Sequence, residues 1–533
     1  MESFDYVVVG GGSAGCVLAA RLSEDPERTV LLLEAGGDER RADVQTPSAW
    51  ASLLDSDADW AFRTTQQRGT GHVHPAPRGR VLGGSGSINC MTHLRGHRHD
   101  YEQWATLGAA GWSYAEVLPF FMRMEDVPGA DPAYRGLGGP LHPRCDPAHG
   151  FARAWIEGAR LLGHPVPEDF NGPDMLGAGA TESLIYAGER ESTATAYLRP
   201  AMERSNLTVR THALVDRLLL VAGLRCRGVE YEYRGAVRQV AANETVVLCA
   251  GAVNSPALLL RSGIGPAREL EAIGIRAAHD LPGVGRNLQD HILLAGIRYL
   301  PGPKAPSFSG AEGRVGGDAQ GGAARLNGVH GGGVGAGDDG GGGSTILAKV
   351  DDVEHGPDLH IAVMDGDYSM PWQRHRENCF TITIGQMRPY SRGSITLRSA
   401  DPRIDPVIDP GYLDDPRDVE VLIRGIELAD QIVQTGVFHD WGGGAETSAL
   451  LRLGSRALRS AINDAVSSYF HLAGSCAMGN GQEAVLDPEL RVRGISGLRI
   501  ADASIMPTVV SCNTNAACVM IGERAAELIT AES

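Results

Sequence analysis

Apolar residues fall into short unbroken runs separated by glycine-rich turns, a rhythm that predicts buried strands alternating with helices. FDYVVV (residues 4–9) and TVLLLEAG (residues 29–36) have the length and apolar continuity of parallel strands covered on both faces. A helix from about Ala14 to Ser23 joins them. Similar strand-like runs recur at Thr208–Ala250 and near the end, in Leu498–Ser533. Between about Leu300 and Ser467 the pattern changes. DLHIAVM, CFTITIG and GSITLRS read as strands, and VEVLIRGIELADQIVQ repeats apolar residues at helical spacing. Within this middle region Gly328–Ser344 is too rich in glycine for a packed core, and its composition favours a flexible surface insertion over a lid.

The turn after the first strand carries Gly10, Gly12 and Gly15 in G-x-G-x-x-G spacing. The first glycine permits the tight turn, the second lets backbone approach a pyrophosphate, and the third lets helix and strand pack closely. The helix then points its positive end at the phosphates. Glu34 ends the next strand, nineteen residues after Gly15, where a carboxylate accepts from ribose hydroxyls and repels a 2′-phosphate. This grip reads an adenosine diphosphate half and does not separate NAD from FAD.

A chain of 533 residues exceeds what one core supports, so two domains are expected. Its net charge of −17 disfavours nucleic acid and draws cationic molecules. No apolar run is long enough to span a bilayer. The chain enters strand at once with no leader pattern, and its nine cysteines are scattered without a C-x-x-C pair. These features predict a cytoplasmic protein with reduced thiols and no metal.

Six further stretches carry a family resemblance. PRGRVLGGSGSINCMTHLRGHRHDYEQW (77–104) holds a second glycine loop, and GAVNSPALLLRSGIGP (251–266) follows an apolar strand. LPGVGRNLQDH (281–291) adds a polar turn, and HLAGSCAMG with DASIMPTVVSCNTNAACVMIGERAAELI closes the chain. Together with SRGSITLRSADPRIDPVIDPGYL (391–413), these resemble the glucose–methanol–choline family of FAD-dependent oxidoreductases from end to end. The resemblance implies α/β architecture: a discontinuous Rossmann-type FAD-binding domain (1–155, 195–299, 468–533) plus an α+β substrate-binding domain with a mostly antiparallel sheet. The latter takes 156–194 and 300–467, with a flexible loop at about 307–344.

Site residues follow from the same resemblance. Gly10, Gly12, Ser13, Ala14, Gly15, Glu34 and Ala35 would hold the adenosine half of FAD. Arg80, Leu82, Gly83, Gly84, Ser85, Asn89 and Met91 would lie along pyrophosphate and flavin, with Val215 reading the adenine through its backbone. Ala250, Gly251, Asp502, Ala503, Asn513 and Thr514 complete the cofactor set. Some members bind flavin covalently through a histidine where this chain has Ile88, and a hydrocarbon cannot form that bond, so the FAD is expected to be non-covalent.

His471 and Asn513 match the family's catalytic pair. The implied reaction is oxidation of an alcohol, most simply a primary one. His471 takes the hydroxyl proton, Asn513 aligns the oxygen, and hydride passes to flavin N5. Oxygen or another acceptor then takes the electrons, and the bulk of Tyr469 and Phe470 would restrict oxygen. Acidity favours a polar or amine-bearing substrate such as an amino sugar or a choline-like alcohol. An aryl or furan alcohol, a flavin-holding hydroxynitrile lyase and a flavin-binding protein without catalysis are the alternatives. His93, His97 and His291 read as structural.

Overall fold

The first apolar run becomes the centre of a mixed sheet, parallel around it and antiparallel at one side. In the computed structural model, which describes residues 1–145, 150–299, 344–348, 356–365, 368–369, 372–373, 379–437, 439 and 445–532, β1 (Glu2–Val9) leads through the glycine turn into α1 (Ser13–Leu22). β2 (Val30–Leu33) returns parallel to β1, with Tyr6 opposite Val30, and is buried throughout. β3 (Leu207–Arg210) adds parallel to β2. β4 (Ala213–Val221), β5 (Arg225–Tyr233) and β6 (Ala236–Leu248) form an antiparallel meander. β6 then runs parallel to β1 on its other side. The order is β3-β2-β1-β6-β5-β4, with Leu498–Ile500 parallel to the end of β6. Three distant pieces of chain thus share one sheet. A side-chain carbon on Gly15 would lie 1.9 Å from the Gly10 carbonyl oxygen, so only glycine lets α1 close over the turn.

After α2 (Gly251–Arg261) the chain builds a second, wholly antiparallel sheet. Its strands are β7 (Ile292–Tyr299), β8 (Leu359–Asp365), β9 (Phe380–Gln386) and β10 (Val466–Ser468), in the order β10-β7-β9-β8. Ser344–Ala348 and Gly177–Ala180 extend it beyond β8. α3 (Pro416–Val433) presents Val419, Leu422, Ile426 and Ala429 to a core that includes Ile361, Ile382 and Ile384. Trp155, from the helix Gly150–Leu161, is buried in the same core. The antiparallel layer therefore draws on residues before 156 and before 300, because β7 pairs along its length with β9, a partner no local pattern reveals. GSITLRS contributes only the short strand Ser394–Thr396, paired with Val407–Asp409 outside this sheet.

α4 (Asn515–Thr530) brings the C-terminal segment back against α1. No helix among the described residues is long and apolar enough to cross a membrane. Gly328–Gly343 lies outside the described residues.

Candidate active site

One cavity runs from the glycine turn of the parallel sheet to the face of the antiparallel one. Three helices begin on it. Ser13 and Ala14 open α1, Gly251 opens α2 and Asn515 opens α4, all lining the cavity. None of the three N-cap residues caps its helix with its own side chain, but Asp502 accepts from the Gly251 amide, so it is the first amides of α1 and α4 that are left for a ligand. Gly251 has φ +83° and no atom within 4 Å of where a side-chain carbon would stand, so its backbone fronts open space.

Two buried carboxylates brace this end. Glu34 accepts from the amides of Gly11 (2.8 Å) and Gly36 (2.7 Å), and burial raises its pKa to about 7. Asp502 accepts from Ser255 Oγ (2.6 Å) and the Gly251 amide (2.9 Å), and its pKa is likewise raised by burial. Gly10, Gly12, Ala35, Gly84, Ser85, Asn89, Met91, Val215, Ala250, Ala503 and Thr514 also line the cavity. Gly15, Leu82, Gly83 and Arg80 do not. Gly83 donates to the Gly11 carbonyl at 2.7 Å and Leu82 to that of Gly37 at 3.0 Å, so they hold the loop rather than face the ligand space. Arg80 is exposed, its guanidinium 4.9 Å from the Trp60 ring centre. Arg78, two residues earlier, lines the cavity with Nε and Nη2 buried and unpartnered.

At the other end the ladder between β7 and β10 sets two imidazoles face to edge. Ile292 pairs with Ser468, and the Tyr469 amide donates to the His291 carbonyl at 3.0 Å. Phe470 then takes φ +66°, a conformation bulky residues avoid, and the turn aims His471 into the cavity. Two bonds secure that strain: Phe470 N to Ser468 Oγ (2.8 Å) and His471 N to Asp290 Oδ1 (2.7 Å). Asp290 is buried and also accepts from Ser468 and Tyr412.

His471 Nε2 lies 3.3 Å from Asn513 Nδ2, and His471 Nδ1 lies 2.9 Å from His291 Nδ1. With the Asn513 amide nitrogen donating, Nε2 of His471 is the acceptor and Nδ1 carries the proton, donated to His291. His291 then holds its own proton on Nε2, which has no hydrogen-bond partner of good geometry, while the Val510 and Met387 carbonyls favour a proton on that ring. Burial, then the neighbouring His291, Arg78 and His360, pushes the His471 pKa well below its usual value. The ring is neutral at pH 7 and its Nε2 lone pair faces the cavity side shared with Asn513. Asn513 Oδ1 is buried without a partner. The pair can take a proton from a hydroxyl and hold the oxygen it leaves.

Residues 4–293 and 389–522 match the two halves of the GMC oxidoreductase family model. The chain is a GMC oxidoreductase. It is 37% identical over 553 residues to human mitochondrial choline dehydrogenase, covering 99% of this chain and 90% of that protein. It is 36% identical to an oxygen-dependent choline dehydrogenase of Rhizobium etli, over 98% and 95% of the two chains. The solved pyridoxine 4-oxidase from Mesorbium loti superposes with a TM-score of 0.85 at 34% identity, over 98% of both chains. This GMC oxidoreductase is an FAD-dependent enzyme acting on alcohols.

The cavity fits that cofactor. The uncapped starts of α1 and α4 suit the pyrophosphate, Gly251 leaves room beside the backbone, and Glu34 and Asp502 each retain lone pairs for hydroxyls. Ile88, also on the cavity wall, offers no atom for a bond to it. His93 and His97 stand elsewhere, near Glu125 and at the N-cap of Arg98–Thr106. His291, read from sequence as structural, is instead the partner of His471. Arg78, Asp290 and His360 were not singled out. The first two lie inside motifs already quoted, PRGR and NLQDH, so motif membership was the available signal.

Proposed function

We propose that this enzyme oxidises a primary alcohol to the aldehyde, with His471 as the base and Asn513 as the group that holds the alcohol oxygen. The 3.3 Å approach of Asn513 Nδ2 to His471 Nε2 is the observation that carries this reading. An alcohol oxygen placed between them would accept from the amide and donate to the imidazole. His471 takes the hydroxyl proton at Nε2, and the imidazolium formed shares its Nδ1 proton with His291. Bound FAD supplies the acceptor for the two electrons that leave the alcohol carbon as hydride. Choline and pyridoxine, named for relatives at 37% and 34% identity, are both primary alcohols, which supports this choice.

Gly10, Gly12, Ser13 and Ala14 would meet the pyrophosphate and Glu34 the adenosine ribose. Val215 would meet the adenine, and Asp502 with Ala503 the ribityl side. The FAD is held without a covalent link.

Anaerobic mixing of the yellow holoenzyme with primary alcohols tests the reading. Loss of flavin absorbance with aldehyde formed in equal amount is expected. A flavin that stays oxidised with every alcohol would overturn it and favour the hydroxynitrile lyase alternative. Recovery of colour in air then tells whether oxygen is the electron acceptor.

A further inference from the structure

Beyond His471 the cavity wall belongs to one apolar cluster that includes Trp50, Leu54, Ile88, Leu293 and Tyr368, with Phe470 packed against it. Charge is arranged differently from what the acidic chain suggests. The charged side chains lining the cavity are Glu34, Arg78, Arg261, Asp405 and Asp502. Glu34 and Asp502 are occupied at the glycine loops, Arg261 ends α2, ten residues after Gly251, and Asp405 is exposed with Arg398 as the charge acting on it. Arg78 is the lining charge that acts on His471. Asp290, which faces Arg78 and His471, does not line the cavity. A substrate cation beside His471 meets the Arg78 guanidinium, and none of the lining carboxylates Glu34, Asp405 and Asp502 is among the groups that act on that imidazole, so it would be desolvated without a counter-charge there. The rings of Trp50, Tyr368, Tyr469 and Phe470 suit stacking on a flat ligand, and any pull they exert on a cation is opposed by Arg78.

Polar side chains interrupt this wall, and of the two on β8 and β9 Thr383 donates to the Ala362 carbonyl at 3.2 Å. His360, on β8, is 3% exposed and lines the cavity. Its Nδ1 is buried without a partner, and no hydrogen bond to its ring forms among the described residues. Its ring centre lies 5.8 Å from that of Tyr469, which in turn stacks on His471 at 4.9 Å. The two imidazoles are thus separated by about one aromatic ring. Burial lowers the His360 pKa to about 4, so near neutrality the ring is uncharged and offers one donor and one acceptor. A buried polar group without a partner, held on a strand in a largely apolar wall, orients ligands and rejects those that leave it unpaired.

We infer that the alcohol is uncharged and aromatic, with a ring nitrogen or ring hydroxyl that pairs with His360. The inference rests on the proposed oxidation at His471, and it replaces the amine-bearing substrate that overall charge suggested.

Anaerobic reduction of the holoenzyme by 3-pyridinemethanol, benzyl alcohol and choline tests it, together with calorimetry of 3-methylpyridine and toluene, which lack the hydroxyl. The expected result is bleaching by the aromatic alcohols and none by choline, with the pyridine compounds bound at least tenfold more tightly than their benzene counterparts. In His360→Leu that tenfold preference should vanish, and in His360→Gln it should return. Bleaching by choline but by neither aromatic alcohol would overturn the inference and leave alcohol oxidation standing. A pyridine preference that His360→Leu abolishes, with no alcohol bleaching the flavin, would keep the inference and remove the oxidation. A preference unchanged in His360→Leu, or no binding of either ring, would also overturn it.

Discussion

His291 Nδ1 lies 2.9 Å from His471 Nδ1, and this contact decides which nitrogen of His471 is free to act. A base that must accept at Nε2 needs its proton parked on Nδ1, and His291 supplies the acceptor that keeps it there. Replacing His291 by Leu should slow flavin reduction about 100-fold. His291→Gln, which keeps an acceptor, should recover part of the loss. Stopped-flow reduction at several pH values checks this, because a merely structural defect would lower flavin content without changing the pH profile.

His471 itself should matter more. His471→Ala is expected to reduce the rate constant for flavin reduction by roughly 10²–10⁴-fold while the protein remains yellow. An unchanged rate constant in flavin-replete His471→Ala would remove it from the reaction.

Stability should fall in acid. Burial lowers the pKa of His291 to about 3 and of His360 to about 4, whereas both titrate near 6.5 in the unfolded chain. Above about pH 6.5 neither state binds these protons and the two groups add no pH dependence. Below it the unfolded chain takes up protons that the folded one refuses. Each group then costs about 1.4 kcal/mol per pH unit until its folded pKa is reached. Melting temperatures followed from pH 7 to pH 4.5 should decline, and less steeply in His360→Gln.

Gly15→Ala should be poorly tolerated, since the added carbon would lie 1.9 Å from the Gly10 carbonyl oxygen. A loss of about 1–3 kcal/mol is expected, with lowered flavin content. Gly481→Ala, which meets nothing within 4 Å, is the control. Equal melting temperatures for the two variants would contradict the close packing described for α1.

Acid precipitation should separate flavin from polypeptide, because Ile88 stands where a linking histidine would be needed. Yellow colour in the washed pellet would disprove non-covalent binding.

The parallel sheet was legible because its strands are continuous apolar runs and its turn has a fixed glycine spacing. Gly10, Gly12 and Glu34 reach the cavity as that spacing requires. What sequence withheld depends on pairing between distant strands. His291 precedes an apolar run and looks like many core histidines; only the register of Ile292 against Ser468 brings it to His471. Arg78 and Arg80 are the same residue type two positions apart, and the path of a loop decides which enters the cavity. His360 sits in DLHIAVM, where the alternation marks a strand but not the open space beside it.

The uncapped starts of α1 and α4 on one cavity have a practical consequence. Stripped of its cofactor, the protein presents a concentrated positive potential to any small multivalent ion in the buffer. Sulfate and phosphate become competitors of flavin during reloading, while chloride is a weak one. Apoprotein prepared in a phosphate buffer should regain its colour more slowly than the same apoprotein prepared in chloride at equal ionic strength.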